Sequence, residues 1–142
     1  RNFLGDSGAY IIAFVVGYVI VDFYSFYDDF SVLFVVILLW YPAFENLFSI
    51  VRKKISKENP SQPDNKHLHQ LIFLIVENSI KNKKLSNTLT ATMINIYNSI
   101  IILIGYIYSS SSIKLLVLIF FTISIYLILY RFLQKKLFKE LS

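Results

Sequence analysis

Four long apolar blocks dominate the chain: Tyr10–Tyr27, Phe30–Phe48, Leu89–Tyr108 and Ile113–Phe132. Each is 18 to 20 residues long, and about 20 apolar residues let a helix cross the hydrocarbon core of a bilayer. The pattern predicts an all-α, polytopic integral membrane protein with four transmembrane helices, set in a larger helical bundle. The first two blocks span with little tilt. A soluble core is the competing reading, but a chain this short seldom devotes four such blocks to one core.

Within the blocks, the polar positions carry the remaining pattern. Thr88, Thr92, Asn95 and Ser99 recur at spacings of four, three and four, with Asn98 alongside, so they share one helical face. Such a face suits hydrogen bonds to a neighbouring helix, or a substrate groove. The fourth span is almost wholly apolar up to Arg131, which predicts a peripheral, lipid-facing helix. Pro42 removes a backbone donor and should kink or reset the second span. Glu45 and Asn46 follow it, and Arg52 lies two helical turns beyond Glu45, on the same face if the helix continues. Between the second and third spans, Asn59-Pro60 and Gln62-Pro63 mark a loop. A short helix over 66–79 is expected next, with Leu68, Leu71, Ile72 and Ile75 on one side. That stripe fits an interfacial helix or one packed under the bundle.

Composition supports the membrane reading: 56% of the 142 residues are hydrophobic, against about 45–50% in soluble domains. The formal charge is +5, and its placement says more than its size. Arg52, Lys53, Lys54, Lys57, Lys66, Lys81, Lys83 and Lys84 lie between the second and third spans. Arg131, Lys135, Lys136 and Lys139 lie at or after the end of the fourth, and Arg1 precedes the first. Asp28-Asp29 and Ser109–Ser112 join the other span ends, with only Lys114 nearby. Positive-inside bias therefore predicts a cytoplasmic N-terminus, C-terminus and central loop, the loop covering about 49–87. Basic residues that border apolar spans argue against nucleic acid as a partner. The absence of cysteine excludes disulfides, thiolate zinc sites and cysteine nucleophiles. No signal peptide is visible, and the first motif begins at once after Arg1, which predicts the C-terminal piece of a longer protein.

Two polar islands then fall on the same side of the membrane. In Gly5-Asp6-Ser7-Gly8, small residues flank one carboxylate at a membrane boundary. Glycine lets backbone approach a ligand, and aspartate suits magnesium, which takes only one or two protein carboxylates. A helix cap with a glycine turn is the simpler account. In Pro63-Asp64-Asn65-Lys66-His67-Leu68-His69, the histidines stand two apart. On a regular helix they diverge by about 200°, so they converge only where the backbone is extended or turning. With no cysteine and no adjacent acid, a zinc site is weak. Asp64 could cap the short helix or fix a histidine tautomer. Imidazole donors beside Arg52, Lys53 and Lys66 could form a pyrophosphate pocket, and a solvated basic loop is the alternative.

The ordered set Phe3-Leu4-Gly5-Asp6-Ser7-Gly8, Pro42-x-x-Glu45, Arg52, Pro63-Asp64 and His67-Leu68-His69 resembles the C-terminal half of the polyprenyl-phosphate N-acetylhexosamine-1-phosphate transferases. That family is related to the phospho-N-acetylmuramoyl-pentapeptide transferases. The resemblance covers essentially the whole chain. It implies that Asp6 binds magnesium, with manganese as an alternative, and that His67 and His69 contact the sugar-nucleotide phosphates. It further implies substrate-binding roles for Arg52, Asp64 and Glu45, and Lys53 is expected beside them as a cation of the pyrophosphate pocket. His-x-His is closer to the hexosamine-phosphate branch than to the muramoyl-pentapeptide branch, which has three consecutive histidines. Glu45 stands where aspartate is usual, and Ala9 and Ala13 replace a frequent serine and glycine. The family's paired aspartates are absent; Asp28-Asp29 lies on the wrong side of the membrane to replace them.

The resemblance implies transfer of N-acetylhexosamine 1-phosphate from a UDP-N-acetylhexosamine to polyprenyl phosphate, releasing UMP. It implies a bacterial inner-membrane enzyme, partnered by the lipid bilayer, whose activity needs more than this piece; a homodimer stays open. The rivals are a non-catalytic membrane scaffold that holds anionic lipid through its basic loop, and a transporter fragment with the Thr88–Ser99 face along its path.

Overall fold

In the computed structural model the described residues are 5–27, 29–57, 59, 64 and 66–141, without the side chains of Asp6 and of 138–141. Phe3, Leu4, Asp28 and Pro63 therefore lie outside them. The architecture is all-α: α1 (Gly5–Phe26), α2 (Leu33–Ile55), α3 (Leu68–Ile80), α4 (Lys83–Ile107) and α5 (Ser112–Leu141). Four of these helices are long and apolar enough to cross a membrane, and α3 is the short one. The chain is a multi-pass membrane protein.

The helices outrun the apolar blocks at their basic ends. α2 continues through Pro42 to Ile55, seven residues past the predicted span, and α4 starts at Lys83 rather than Leu89. Lysine and arginine are good helix formers, so leaving the hydrocarbon does not end a helix. Arg52, Lys53 and Lys54 instead occupy the last turn of α2, where cations complement the exposed carbonyls. Residues 49–55 of the expected loop are thus helical. α3 and α4 form a tight pair. Lys81 takes a left-handed φ of +55°, its N–H bonds the carbonyl of Glu77 at 2.8 Å, and Asn82 caps α4 by accepting from Leu85 N at 3.2 Å.

At the opposite end, two turns are tied together. Ser31 N donates to Ser109 O at 2.8 Å, and the Ser31 and Ser112 hydroxyls meet at 2.8 Å. These bonds fix the α1–α2 turn against the α4–α5 turn, so α2, α4 and α5 leave from one plane. Between them sits a core of Phe34, Ile37, Trp40, Ile101, Leu115 and Leu118, with Leu68 and Leu71 of α3 closing its basic end. The predicted apolar stripe of α3 is therefore its packing face. Gly105 lets α4 approach α2: a Cβ there would stand 2.7 Å from Ile37 Cγ2.

Two expectations are overturned. α5 is no peripheral helix, since it buries Leu115, Leu118, Thr122, Tyr126, Tyr130 and Leu133. The outer helix is α1, none of whose span residues is buried. In a bilayer, lipid-facing and buried faces are equally apolar, so apolarity alone cannot rank helices by burial. The Thr88, Thr92, Asn95 and Ser99 face makes no helix contact either, since all four are exposed; the hydrogen-bonding reading of it falls, while Thr92, Asn95 and Ser99 line a shallow groove. The packing face of α4 is Ser86, Thr90, Ile101 and Gly105. Small side chains there allow close helix contact, which decides packing in membranes more than polarity does.

Candidate functional site

Glu45 organises the basic end of the bundle. It follows Pro42 by three residues on α2 and is 5% exposed. A buried carboxylate persists only with hydrogen-bond or charge partners. Here Glu45 Oε1 accepts from Leu68 N, the first residue of α3, at 2.5 Å. It also accepts from Tyr126 Oη of α5 at 3.0 Å. One carboxylate thus joins α2, α3 and α5. It takes one of the free N–H groups at the start of α3, where negative charge is favoured.

The histidines converge on the same group. His67 Nδ1 lies 3.5 Å from Glu45 Oε1, and His69 Nδ1 lies 3.7 Å from Glu45 Oε2. Their rings stack with centroids 5.4 Å apart and planes 11° from parallel. The local backbone explains this. His67 is the residue before α3, extended at φ −71° and ψ 152°, whereas His69 is already helical. The divergence of two residues on one helix therefore does not apply. Gln70 fixes the entry, accepting from His67 N at 3.0 Å through Oε1.

Asp64 holds the preceding segment against α2. It accepts from Ser49 Oγ and Arg52 Nη2, and from Lys66 N at 2.9 Å. It is not the cap of α3, a position that His67 occupies. His67 Nε2 is 3.9 Å from Asp64 Oδ2, so this ring lies between two carboxylates. Burial by itself would raise the Asp64 carboxyl. The hydrogen bonds from Ser49, Arg52 and Lys66 N–H, with the Arg52 charge, outweigh that and hold it well below the usual carboxylate range.

Glu45, Arg52, Asp64, His67 and His69 therefore form one cluster, and Lys53 is buried one residue past Arg52 on α2. Asp6 cannot be placed with them, because its side chain lies outside the described residues. Gly5 beside it takes φ +63°, a conformation that favours glycine. Among the described residues, no three histidine, aspartate or glutamate side chains gather as a metal-binding group. Glu45 Oε2 is nonetheless buried with no hydrogen-bond partner among the described residues. A carboxylate oxygen is the donor type that magnesium takes, and Glu45 Oε2 supplies one such donor without two companions among the described residues.

Two site residues escaped sequence reasoning. Ser49 stands four residues after Glu45 and three before Arg52, so helical spacing alone could have placed it on the same face. Tyr126 sat in a span read as lipid-facing. Its signal was a pair of phenols, Tyr126 and Tyr130, one helical turn apart in an apolar span, since a buried tyrosine needs a partner for its hydroxyl. Phe44 and Phe48 hold it edge-on, with centroids at 5.0 and 5.4 Å.

A groove of about 520 Å³ lies beside the histidines, between α2, α3 and α4. Tyr41, His69, Lys83, Asn87 and Asn95 line it. His69 is half exposed, whereas His67 is largely covered, which leaves His69 as the ring open to a ligand.

Fold and site together define a helical membrane protein with a carboxylate–histidine cluster at its basic face. Comparison with known proteins finds two similar proteins. The undecaprenyl-phosphate alpha-N-acetylglucosaminyl 1-phosphate transferase of Thermotoga maritima is 34% identical over 71 residues, covering 50% of this chain and 23% of that protein. A probable undecaprenyl-phosphate N-acetylglucosaminyl 1-phosphate transferase of Bacillus subtilis is 28% identical over 116 residues, covering 81% of this chain and 28% of that protein. The chain is similar to these two proteins and spans about a quarter of their length. No family model and no solved structure matches it.

Proposed function

We propose that this chain forms one wall of an active site that transfers N-acetylhexosamine 1-phosphate from a UDP-sugar to polyprenyl phosphate. The observation that carries the reading is the sharing of Glu45 by both histidines and the start of α3. It turns a motif spread over the sequence into one cluster at a membrane face, beside a groove. The similarity to the two transferases supports the same chemistry.

In this reaction a phosphate oxygen of the lipid attacks the β-phosphorus of the UDP-sugar. A new P–O–P bond forms, the bond to the bridging oxygen breaks, and UMP leaves with that oxygen. Phosphoryl transfer depends on alignment and on neutralising spread charge. His69 donates to phosphate oxygens from the groove, and Glu45 orients its ring. Arg52 adds fixed positive charge, with Asp64 holding its guanidinium in place. Lys53 stands next to it. Magnesium at Asp6, or manganese in its place, supplies further positive charge to the pyrophosphate when bound. The basic ends of α2, α4 and α5 face the cytoplasm, where the soluble nucleotide meets a lipid whose tail stays in the bilayer. The product is the first lipid-linked sugar of a cell-surface polysaccharide.

The test is UMP release by the full-length protein with undecaprenyl phosphate and a panel of UDP-N-acetylhexosamines. Release with at least one donor is expected, falling at least about tenfold in His69→Gln. No release with any donor, from protein that is folded in its membrane, would overturn the reading.

A further inference from the structure

The carboxylate that gathers the histidines is itself held from α5. The terminal torsion of a glutamate side chain is soft, so a carboxylate with one tether can still turn. Glu45 Oε1 has two tethers: it accepts from Leu68 N at 2.5 Å and from Tyr126 Oη at 3.0 Å. The donors come from different helices, α3 and α5, and together they fix the plane of the group. The second oxygen is thereby turned toward His69, whose Nδ1 lies 3.7 Å from Oε2.

The phenol is fixed in turn. Tyr126 is 1% exposed. Phe44 and Phe48 meet its ring edge-on, and the Tyr130 ring lies 6.2 Å away with its plane 8° from parallel. Glu45 lies twelve residues along α2 from Leu33, and Tyr126 fourteen along α5 from Ser112. At 1.5 Å per residue both stand about 20 Å from the tied turns at the opposite face, within the roughly 30 Å thickness of the hydrocarbon. A carboxylate at that depth must find its donors within the protein.

We propose that Tyr126 is a positioning residue for His69: acting through Glu45, it holds the imidazole at the angle from which the ring meets a phosphate oxygen in the groove. The part played in transfer rests on the transferase reading above; the positioning of the ring does not. No sequence motif includes Tyr126. Tyr126→Phe removes the hydroxyl alone and leaves the aromatic ring in its packing. The carboxylate then keeps only its Leu68 tether, and His69 loses a fixed partner while keeping all its own atoms. Such a ring is misaligned rather than missing, and a small misplacement slows a transfer that depends on alignment.

The experiment is UMP release by the full-length protein carrying Tyr126→Phe, His69→Gln or both. Tyr126→Phe alone should slow release by about three- to tenfold. In the His69→Gln background it should change the rate by less than about twofold, because the ring it positions is gone. A merely structural role predicts equal fold-losses in both backgrounds, and that result overturns the proposal; so does a wild-type rate in Tyr126→Phe. Tyr97→Phe removes another buried hydroxyl, one with no hydrogen-bond partner among the described residues. It should leave release unchanged, and a loss equal to that of Tyr126→Phe counts against the proposal in the same way. Diethyl pyrocarbonate, which acylates an imidazole nitrogen, gives a readout independent of turnover. Mapped by mass spectrometry, acylation of His69 should quicken at least about twofold in Tyr126→Phe, while the covered His67 stays slow. Unchanged labelling of His69 overturns the proposal. If no donor releases UMP, the labelling still decides the positioning role, and only the transferase reading falls.

Discussion

The bond between Tyr126 and Glu45 should be energetically coupled to the start of α3, and a double-mutant cycle can measure this. Tyr126→Phe removes one donor to Oε1 at 3.0 Å and leaves the carboxylate its bond to Leu68 N at 2.5 Å. Hydrogen bonds between membrane helices couple by about 0.6 kcal/mol on average and about 1.7 at most. A charged acceptor and a tyrosine only 1% exposed place this pair near the top of that range. Glu45→Ala does more. It strands the Leu68 N–H and the Tyr126 hydroxyl in a buried place, at about 1–3 kcal/mol each, so a total of about 2–6 kcal/mol is expected. In the double variant the hydroxyl is no longer there to be stranded. The double should therefore cost less than the sum of the singles, by about 1.5 kcal/mol. The assay is reversible unfolding of the full-length protein in mixed micelles. Hydrogen exchange of the peptide around Leu68 gives a local readout, and its protection should fall in Glu45→Ala and hold in Glu45→Gln, which keeps an acceptor oxygen. Additivity of the singles to within about 0.5 kcal/mol, with unchanged protection at Leu68, would refute the view that Glu45 ties α5 to α3.

Other consequences can be checked as directly. The Asp64 carboxyl is held below its usual range, so its contribution is full above the unfolded value of about 3.9 and is lost only as pH falls through the lower folded value. A spin label at Lys66→Cys, in a chain with no native cysteine, should keep one mobility from pH 8 to 5 and loosen only below about pH 4; loosening near pH 6 would contradict the Arg52–Asp64 clasp. Gly105→Leu should lower thermal stability by about 1–3 kcal/mol through collision with Ile37, while Gly17→Leu, with nothing within 4 Å of its Cβ, should be silent; equal melting of the two would show that α4 does not approach α2 there. Asp6→Asn in the full-length protein should abolish the magnesium dependence of UMP release and most of its rate, and wild-type turnover in that variant would remove the metal role given to Asp6.

Much of the fold was legible in the sequence because a bilayer reduces choice. Backbone groups in hydrocarbon must be bonded within a helix, so four apolar blocks already mean four candidate spans. That Glu45, Arg52, Asp64, His67 and His69 would lie together was legible for a local reason. Glu45 and Arg52 share a face of one helix, and His67 and His69 flank a helix start, where an extended residue can bring two rings together. The places where reading failed share a cause. Ser49 and Tyr126 act through contacts with other segments, and neither has a motif of its own.

The apolar pattern therefore decided the number of spans and the class, and the histidine spacing at a helix start brought two rings together. Which helix lies inside, and which polar side chains meet, was left to packing. α5 reads as the most lipid-like span, yet it carries buried Tyr126 to Glu45, and α4 turns its Thr88–Ser99 face outward while packing through Ser86, Thr90 and Gly105. In hydrocarbon, burial against protein and burial against lipid have nearly the same transfer cost. Shape, small residues and a few hydrogen bonds then settle the arrangement, and these exist only once the helices are side by side.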